Sequence, residues 1–164
     1  MKSLLIVSSY HHHNTEKLAQ VLADVLDAKI EPPQHVNPKA LPPYDLIGFG
    51  SGIYSDAHHP ALLRLADRLP PVTDSRAFIF STSGTPAFAL TGSFQEDYVE
   101  KAHAALREKL RAKGYVIVDE FMCPGFNTNS FLKLFGGINR GHPNAEDLKR
   151  AEAFAQDLMG RGWR

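Results

Sequence analysis

Short apolar runs without alternation recur along the chain, and segments with a helical period lie between most of them. Such runs are typical of strands that are buried on both faces of a sheet. Clear runs lie at 4–7, 46–49, 77–80 and 115–118, and a weaker one lies at 28–30. The helical segments place apolar residues three and four positions apart, and they are predicted at 14–26, 60–69, 99–110 and 148–158.

The order of these elements is βαββαβαβ, followed by a loop and a helix. Strands alternating with helices predict a parallel sheet with helices on both faces. We expect a three-layer α/β fold with a five-stranded parallel sheet in the order 2-1-3-4-5. The chain has 164 residues and no internal repeat, so we expect residues 1–164 to form a single domain. Ligands of such sheets bind at the carboxyl ends of the strands where the strand order reverses, which directs attention to the loops after Val7, Phe49 and Phe80.

The loop after the first strand, 8–15, leads into a helix and contains hydroxyl, amide and imidazole groups. A helix N-terminus attracts anions through its main-chain N–H groups and the positive end of its dipole. We therefore predict a phosphate site with Ser9, Asn14 and Thr15 as donors. Alternatively, Asn14 and Thr15 only cap the helix. The histidines at 11–13 could also bind a metal, but adjacent residues rarely converge on one ion, so we assign no metal site.

The next two loops suit a flat ring. Glycines at 48, 50 and 52 precede Ile53 and Tyr54; glycine lets the backbone approach a ligand closely, and the other two side chains offer apolar and aromatic surface. A tight turn is the alternative explanation of the glycines. Residues 81–86 carry small hydroxyl groups, which suit either the polar edge of a ring or an ordinary loop. His58 and His59 are expected to be surface or helix-cap residues.

The segments 6–17, 44–54 and 80–84 resemble, in this order, the phosphate loop and the two ring-binding loops of the flavodoxin family. The resemblance implies a flavodoxin-like fold, FMN as the cofactor and electron transfer as the function. It implies that the FMN phosphate is surrounded by Ser9, His11, His13, Asn14 and Thr15. It implies that the isoalloxazine ring and its pyrimidine edge are bordered by Ser51, Gly52, Ile53, Tyr54, Ser81, Thr82, Ser83 and Gly84. Tyr54 would be the residue that stacks on the ring.

The chain departs from the better-known flavodoxins in three respects. Those proteins have Gly where His13 stands here, and they are strongly acidic, whereas this chain has a formal net charge of zero. A neutral chain also offers no basic field for nucleic acid. The long segment 121–143 is rich in Phe and Gly; it could fold over the flavin, dock a partner or pack as a surface loop. Cys123 within it is expected to be an inert buried thiol.

The resemblance implies an FMN-binding electron carrier. We expect it to be cytoplasmic, since a single cysteine points to a reducing compartment. We expect no membrane span, since no apolar run is long enough. Its partner would be a redox protein or a small-molecule electron acceptor, and no oligomeric state is predicted. The alternative is an FMN-dependent oxidoreductase that reduces a small molecule such as a quinone with NAD(P)H, although no nicotinamide-binding motif is visible. A flavin-free receiver domain would need acidic residues at the end of the first strand, where this chain has residues 8–10, Ser-Ser-Tyr.

Overall fold

The computed structural model describes residues 1–10, 12–41 and 43–162. Within them the strands are β1 (Ser3–Ser8), β2 (Ala28–Glu31), β3 (Leu46–Tyr54), β4 (Ala57–His58), β5 (Ser75–Ser83) and β6 (Tyr115–Pro124). The helices are α1 (Asn14–Leu26), α2 (Pro60–Arg68), α3 (Gly92–Ala112) and α4 (Ala145–Gly160). Short 3₁₀ helices cover Pro38–Ala40 and Ser130–Phe135. None of the described helices is long and apolar enough to cross a membrane.

Five strands form a parallel sheet in the order β2-β1-β3-β5-β6, and the two-residue β4 pairs antiparallel with the end of β3. The predicted order 2-1-3-4-5 is therefore confirmed for the five long strands. The strand β4 was not predicted, because two residues carry no periodicity. The register pairs Ser8 with Ser51 and Ser51 with Ser81, so the carboxyl ends of β1, β3 and β5 lie side by side.

Side chains of the central strands alternate between two cores, one on each face of the sheet. Leu4 and Ile6 of β1 pack with α2 and α3, while Leu5 and Val7 pack with α1 and α4. This arrangement confirms the three-layer prediction. Cys123 belongs to the second core, where burial raises the pKa of its thiol, as the sequence led us to expect of a packed cysteine.

Gly48 and Gly50 lie inside β3 rather than in a loop, and they serve the core. A Cβ on Gly48 would lie 2.5 Å from Cζ of Phe78, and one on Gly50 would lie 2.3 Å from Cε2 of Phe80. Neither glycine has a positive φ. The expectation that these two glycines form a ligand-binding loop or a turn was therefore wrong, because their missing side chains make room for two buried phenylalanine rings.

The start of α1 contradicts the alternative interpretation of Asn14 as a helix cap. The cap is His13, at φ 54°, and Asn14 is the first residue of the helix and is buried. The hydroxyl of Ser9 instead accepts a hydrogen bond from the main-chain N–H of Glu16 at 3.2 Å. The first turn of α1 is thus closed by a residue five positions ahead of the helix.

Candidate cofactor site

An open cleft lies at the carboxyl ends of the strands. Four parts of the chain contribute to its walls: the loop after β1 with the start of α1, the carboxyl end of β3, the carboxyl end of β5 with Gly84, and the loop after β6. The lining residues are Tyr10, Asn14, Thr15, Gly52, Ile53, Tyr54, Thr82, Ser83, Gly84, Gly125, Phe126, Asn127 and Asn129.

Most of the predicted cofactor residues meet in this cleft, although they come from three separate parts of the sequence. The structure brings together Asn14, Thr15, Gly52, Ile53, Tyr54, Thr82, Ser83 and Gly84. The side chains of Ser9, His13, Ser51 and Ser81 are not among the lining residues. His11, which was also predicted to bind the cofactor, lies outside the described residues.

Side chains at the start of α1 tie the first loop to its neighbours. The amide Nδ2 of Asn14 donates to the carbonyl of Phe126 at 2.8 Å, and the hydroxyls of Thr15 and Thr82 lie 2.8 Å apart. His13 is exposed and lies 2.6 Å from the carboxylate of Glu16. These polar groups are engaged within the protein, so an anion at this end of the cleft would rely mainly on main-chain N–H groups and the helix dipole.

The other end of the cleft has an aromatic wall. The Tyr54 ring folds back over Gly52. A Cβ added to Gly52 would lie only 2.9 Å from the Tyr54 hydroxyl, so the ring occupies the space next to this glycine. His59 packs edge-on against Tyr54, with ring centroids 5.6 Å apart and planes at 75°. On the facing loop, the Ser83 hydroxyl donates to Thr85 Oγ1 at 2.9 Å and accepts from the main-chain N–H of Thr85 at 3.1 Å. The cleft at this end is therefore bounded by a ring on one side and a closed polar turn on the other.

Residues of the loop after β6 form a fourth wall that the sequence argument did not assign. The ring of His12 lies 4.5 Å from that of Phe126, and His12 Nε2 lies 2.8 Å from Thr128 Oγ1. The side chain of Asn139 fixes the loop from the other side, since Nδ2 donates to the carbonyl of Thr85 at 2.7 Å and Oδ1 accepts from the N–H of Ala87 at 2.8 Å. Within the segment 121–143, for which three roles were considered, Gly125, Phe126, Asn127 and Asn129 line the cleft. The sequence could have indicated this wall, because these residues follow the predicted strand next to β5.

Comparison with known proteins connects this architecture to a family. No family model matches the chain. Over 159 residues the chain is 44% identical to an uncharacterized protein from Methanocaldococcus jannaschii, covering 97% of this chain and 99% of that protein. Among solved structures, oxidised flavodoxin 2 from Bacillus cereus is similar with a TM-score of 0.69 at 15% identity, covering 98% of this chain and 99% of that one. A flavodoxin from the domain Archaea has a TM-score of 0.64 at 14% identity and covers 98% of both chains.

This chain belongs to the same family as the uncharacterized Methanocaldococcus jannaschii protein, and its fold is that of the flavodoxins. The similarity to the solved flavodoxins extends along almost the full length of each chain and shows that the predicted flavodoxin-like fold is correct.

Below the cleft, this flavodoxin-like protein contains two buried serine–histidine pairs. Ser51 Oγ lies 2.8 Å from His58 Nδ1, and Ser81 Oγ lies 2.8 Å from His103 Nε2. The two imidazole rings are 4.8 Å apart. His58 is only 2% exposed, so the expectation that it is a surface or cap residue was wrong. His58 lies in β4 and pairs with Ile53 of β3, and this pairing turns its side chain inward. For His59 that expectation is confirmed, since its Nδ1 accepts from the N–H of Ala61 at the start of α2.

An ion pair extends the second of these pairs toward the surface. His103 Nδ1 lies 2.8 Å from Glu120 Oε2, and Arg107 donates to both oxygens of the same carboxylate. Burial alone would raise the pKa of Glu120, but the hydrogen bonds from His103 and Arg107 outweigh it and lower the pKa to about 2. Burial lowers the pKa of His58 well below its ordinary value, and the neighbouring His103 lowers it further. Burial also lowers the pKa of His103, against the opposing effect of Glu120.

The order Ser81–His103–Glu120 resembles the hydrogen-bonded series of a hydrolytic triad. Ser81 and His103 are both 0% exposed, so no substrate can reach the hydroxyl. These residues therefore act within the fold, beneath the cleft, and are not a nucleophilic centre.

Proposed function

We propose that this flavodoxin-like protein binds FMN in the cleft and carries electrons between redox partners. One observation carries the proposal: the loop after β1, the carboxyl ends of β3 and β5, and the loop after β6, which are far apart in sequence, line one cleft. That cleft lies where the strand order reverses, which is the usual ligand position in open parallel sheets.

The phosphate end suits a phosphorylated ligand. Asn14 and Thr15 start α1 at the cleft wall, where the positive end of the helix dipole stabilises an anion. The described cleft residues include no carboxylate that would repel it. We assign the FMN phosphate to this end, with main-chain N–H groups as its principal donors.

A buried acceptor on the same wall suits the sugar-like chain of the cofactor. Asn14 Oδ1 is buried and has no hydrogen-bond partner among the described residues. Leaving such a group unpaired costs about 1–3 kcal/mol. The ribityl chain of FMN carries hydroxyl donors, and one of them would satisfy this oxygen.

The ring end suits a planar heteroaromatic group. Ile53 and Tyr54 offer apolar and aromatic surface, while Ser83 and Gly84 offer polar main-chain groups at the facing loop. In our assignment Tyr54 covers the isoalloxazine ring and excludes water, and residues 82–84 meet its pyrimidine edge. When bound, FMN supplies the redox chemistry, and the protein orients it and adjusts its potential.

An FMN-dependent oxidoreductase that uses NAD(P)H is the second candidate. We place it second because the sequence carries no nicotinamide-binding motif. Turnover of NAD(P)H with a quinone by the FMN-loaded protein would favour that alternative instead.

Titration of the purified protein with FMN, followed by quenching of flavin fluorescence, tests the proposal. The Tyr54→Ala variant should bind FMN at least about tenfold more weakly, since an aromatic pair contributes about 0.5–1.5 kcal/mol beyond the area that it buries. Phe135→Ala is the matched control, because Phe135 is 79% exposed and does not line the cleft. Equal FMN affinity for Tyr54→Ala and the wild type would contradict the assigned ring site.

A further inference from the structure

The hydroxyl of Ser51 contacts three groups, although the side chain is fully buried. It donates to the carbonyl oxygen of Gly52 at 2.8 Å and accepts from the main-chain N–H of His59 at 3.0 Å. The third group is Nδ1 of His58, at 2.8 Å. Gly52 itself lies on the cleft wall, so this buried serine holds one main-chain carbonyl of the candidate site.

One arrangement of hydrogens satisfies all three contacts of Ser51. A hydroxyl has one hydrogen to donate and two lone pairs that accept. If its hydrogen goes to Gly52 and one lone pair accepts from His59, the other lone pair accepts from His58 Nδ1–H. In that arrangement His58 is protonated at Nδ1, and its buried Nε2 is an acceptor without a partner among the described residues.

The contact with Gly52 matters because glycine adopts more main-chain conformations than any other residue. Without the Ser51 hydroxyl, the peptide that follows Gly52 would lose a side-chain hydrogen bond that supports its direction in addition to the pairing of Gly52 with Thr82 in the sheet. The imidazole of His58 in turn fixes the hydroxyl, because it occupies the remaining lone pair and leaves the hydrogen directed at Gly52.

We propose that Ser51 and His58 form a positioning pair that fixes the Gly52 carbonyl at the cleft wall. Resting on the proposed function, we infer that this pair helps to set both the affinity and the reduction potential of the bound FMN. A fixed carbonyl dipole next to a flavin interacts differently with its oxidised and reduced forms, which differ in charge and protonation. Ser51 and His58 contact no ligand in this account, and they act through Gly52.

The structure contains a matched control in the neighbouring strand. Ser81 pairs with Ser51 in the sheet register, is equally buried and also lies 2.8 Å from a histidine. Its hydroxyl bonds to His103 in the described structure and not to a carbonyl at the cleft. Ser81→Ala therefore removes a buried serine–histidine bond without removing a contact to Gly52.

The experiment compares Ser51→Ala, Ser81→Ala, His58→Leu and His58→Asn with the wild type. The amide nitrogen of asparagine can replace Nδ1–H as donor to Ser51, whereas leucine cannot. We expect Ser51→Ala and His58→Leu to raise the Kd for FMN about tenfold and to shift its midpoint potential. Ser81→Ala should stay within about twofold of the wild-type Kd, and His58→Asn should restore most of the affinity that His58→Leu loses.

A second readout does not depend on FMN: the carbonyl ¹³C chemical shift of Gly52 in the ligand-free protein. It should move in Ser51→Ala and stay in place in Ser81→Ala. The proposal is overturned if Ser51→Ala leaves the Gly52 carbonyl shift, the Kd for FMN and the midpoint potential unchanged. It is also overturned if Ser51→Ala and Ser81→Ala change these three quantities equally. If the wild type binds no FMN, the proposed function fails, and the Gly52 shift alone then decides whether the pair positions the carbonyl. Should His58→Leu not fold, Ser51→Ala carries the test.

Discussion

Arg107 and Glu120 meet through two hydrogen bonds, from Nε to Oε1 at 2.5 Å and from Nη2 to Oε2 at 2.9 Å. Their side chains are 7% and 16% exposed, and Oε2 is also within 2.8 Å of His103 Nδ1. Charged pairs with two parallel hydrogen bonds are stronger and more directional than neutral ones. Because Arg107 lies in α3 and Glu120 in β6, this contact fixes the helix on the edge of the sheet.

Removal of the charge on Glu120 should therefore be costly. In Glu120→Gln, the largely buried Arg107 would lose its two bonds to a carboxylate and keep only its bonds to the exposed Glu100; breaking a buried pair typically costs about 3–5 kcal/mol. We expect a loss of about 3 kcal/mol in the free energy of unfolding, measured by urea denaturation with circular dichroism. Asp56→Asn, which breaks the exposed pair between Asp56 and Lys101, should cause no measurable loss. Similar stabilities for the two variants would contradict this account.

The buried histidines should make stability depend on pH below their ordinary pKa of 6.5. Burial lowers the pKa of His58 and His103 in the folded protein, so below about pH 6.5 the unfolded chain binds protons that the folded chain does not. The free energy of unfolding should therefore be highest above this pH and fall as the pH decreases. Glu120, with a pKa of about 2 against an ordinary 4.5, should add a further loss between these two values.

His58→Asn tests the histidine part of this pH dependence, since asparagine does not titrate. Denaturant unfolding at pH 7.5, 6 and 5 should show a shallower loss of stability in the variant than in the wild type. Parallel pH profiles for the two proteins would contradict a buried, neutral His58.

The core role of Gly50 predicts a steric penalty. In Gly50→Ala the new methyl group would lie 2.3 Å from Phe80 Cε2 and Cζ, and Phe80 is fully buried. Overpacking of this kind costs about 1–3 kcal/mol, which thermal denaturation should detect as a lower Tm. Gly160→Ala is the control, because no neighbouring atom lies within 4 Å of the added Cβ. Its Tm should be unchanged or slightly higher, and an equal Tm for both variants would refute the packing explanation.

The hydrophobic pattern was sufficient to predict the five parallel strands, because their apolar runs are local; in the central strands β1, β3 and β5 these runs are also buried on both faces. It could not separate two uses of glycine: Gly48 and Gly50 accommodate phenylalanine rings that lie about 30 residues further along the chain. The wall of the cleft at Thr82 and Ser83 was predictable, because these small polar residues end an apolar strand at the expected ligand position.

Contacts between distant parts of the chain were not predictable from a local pattern. Asn14 and Phe126, which meet at the cleft, are 112 residues apart, and His58 is buried through a two-residue strand. The sequence around Asn14 does not indicate Phe126 as its partner, and the sequence around His58 does not indicate its burial.

Asn139 provides a test of the fourth wall of the cleft. Its side chain bonds to Thr85, Ala87 and Gly125, and its φ of 57° suits glycine. Asn139→Gly therefore removes the bonds without main-chain strain, and we expect FMN to bind about tenfold more weakly. Asn144→Ala, which removes the N-cap of α4, should lower stability by about 1 kcal/mol but leave the Kd for FMN unchanged. The reverse pattern in a fluorescence titration would exclude this role for Asn139.

Reconstitution with FMN shows whether the cleft holds a flavin. The purified protein, incubated with excess FMN and passed through a desalting column, should retain one flavin per chain. It should also show the near-ultraviolet and blue absorption bands of a bound flavin, with quenched fluorescence. A protein that stays colourless and leaves the fluorescence of micromolar FMN unchanged would contradict the proposal that this cleft is a flavin site.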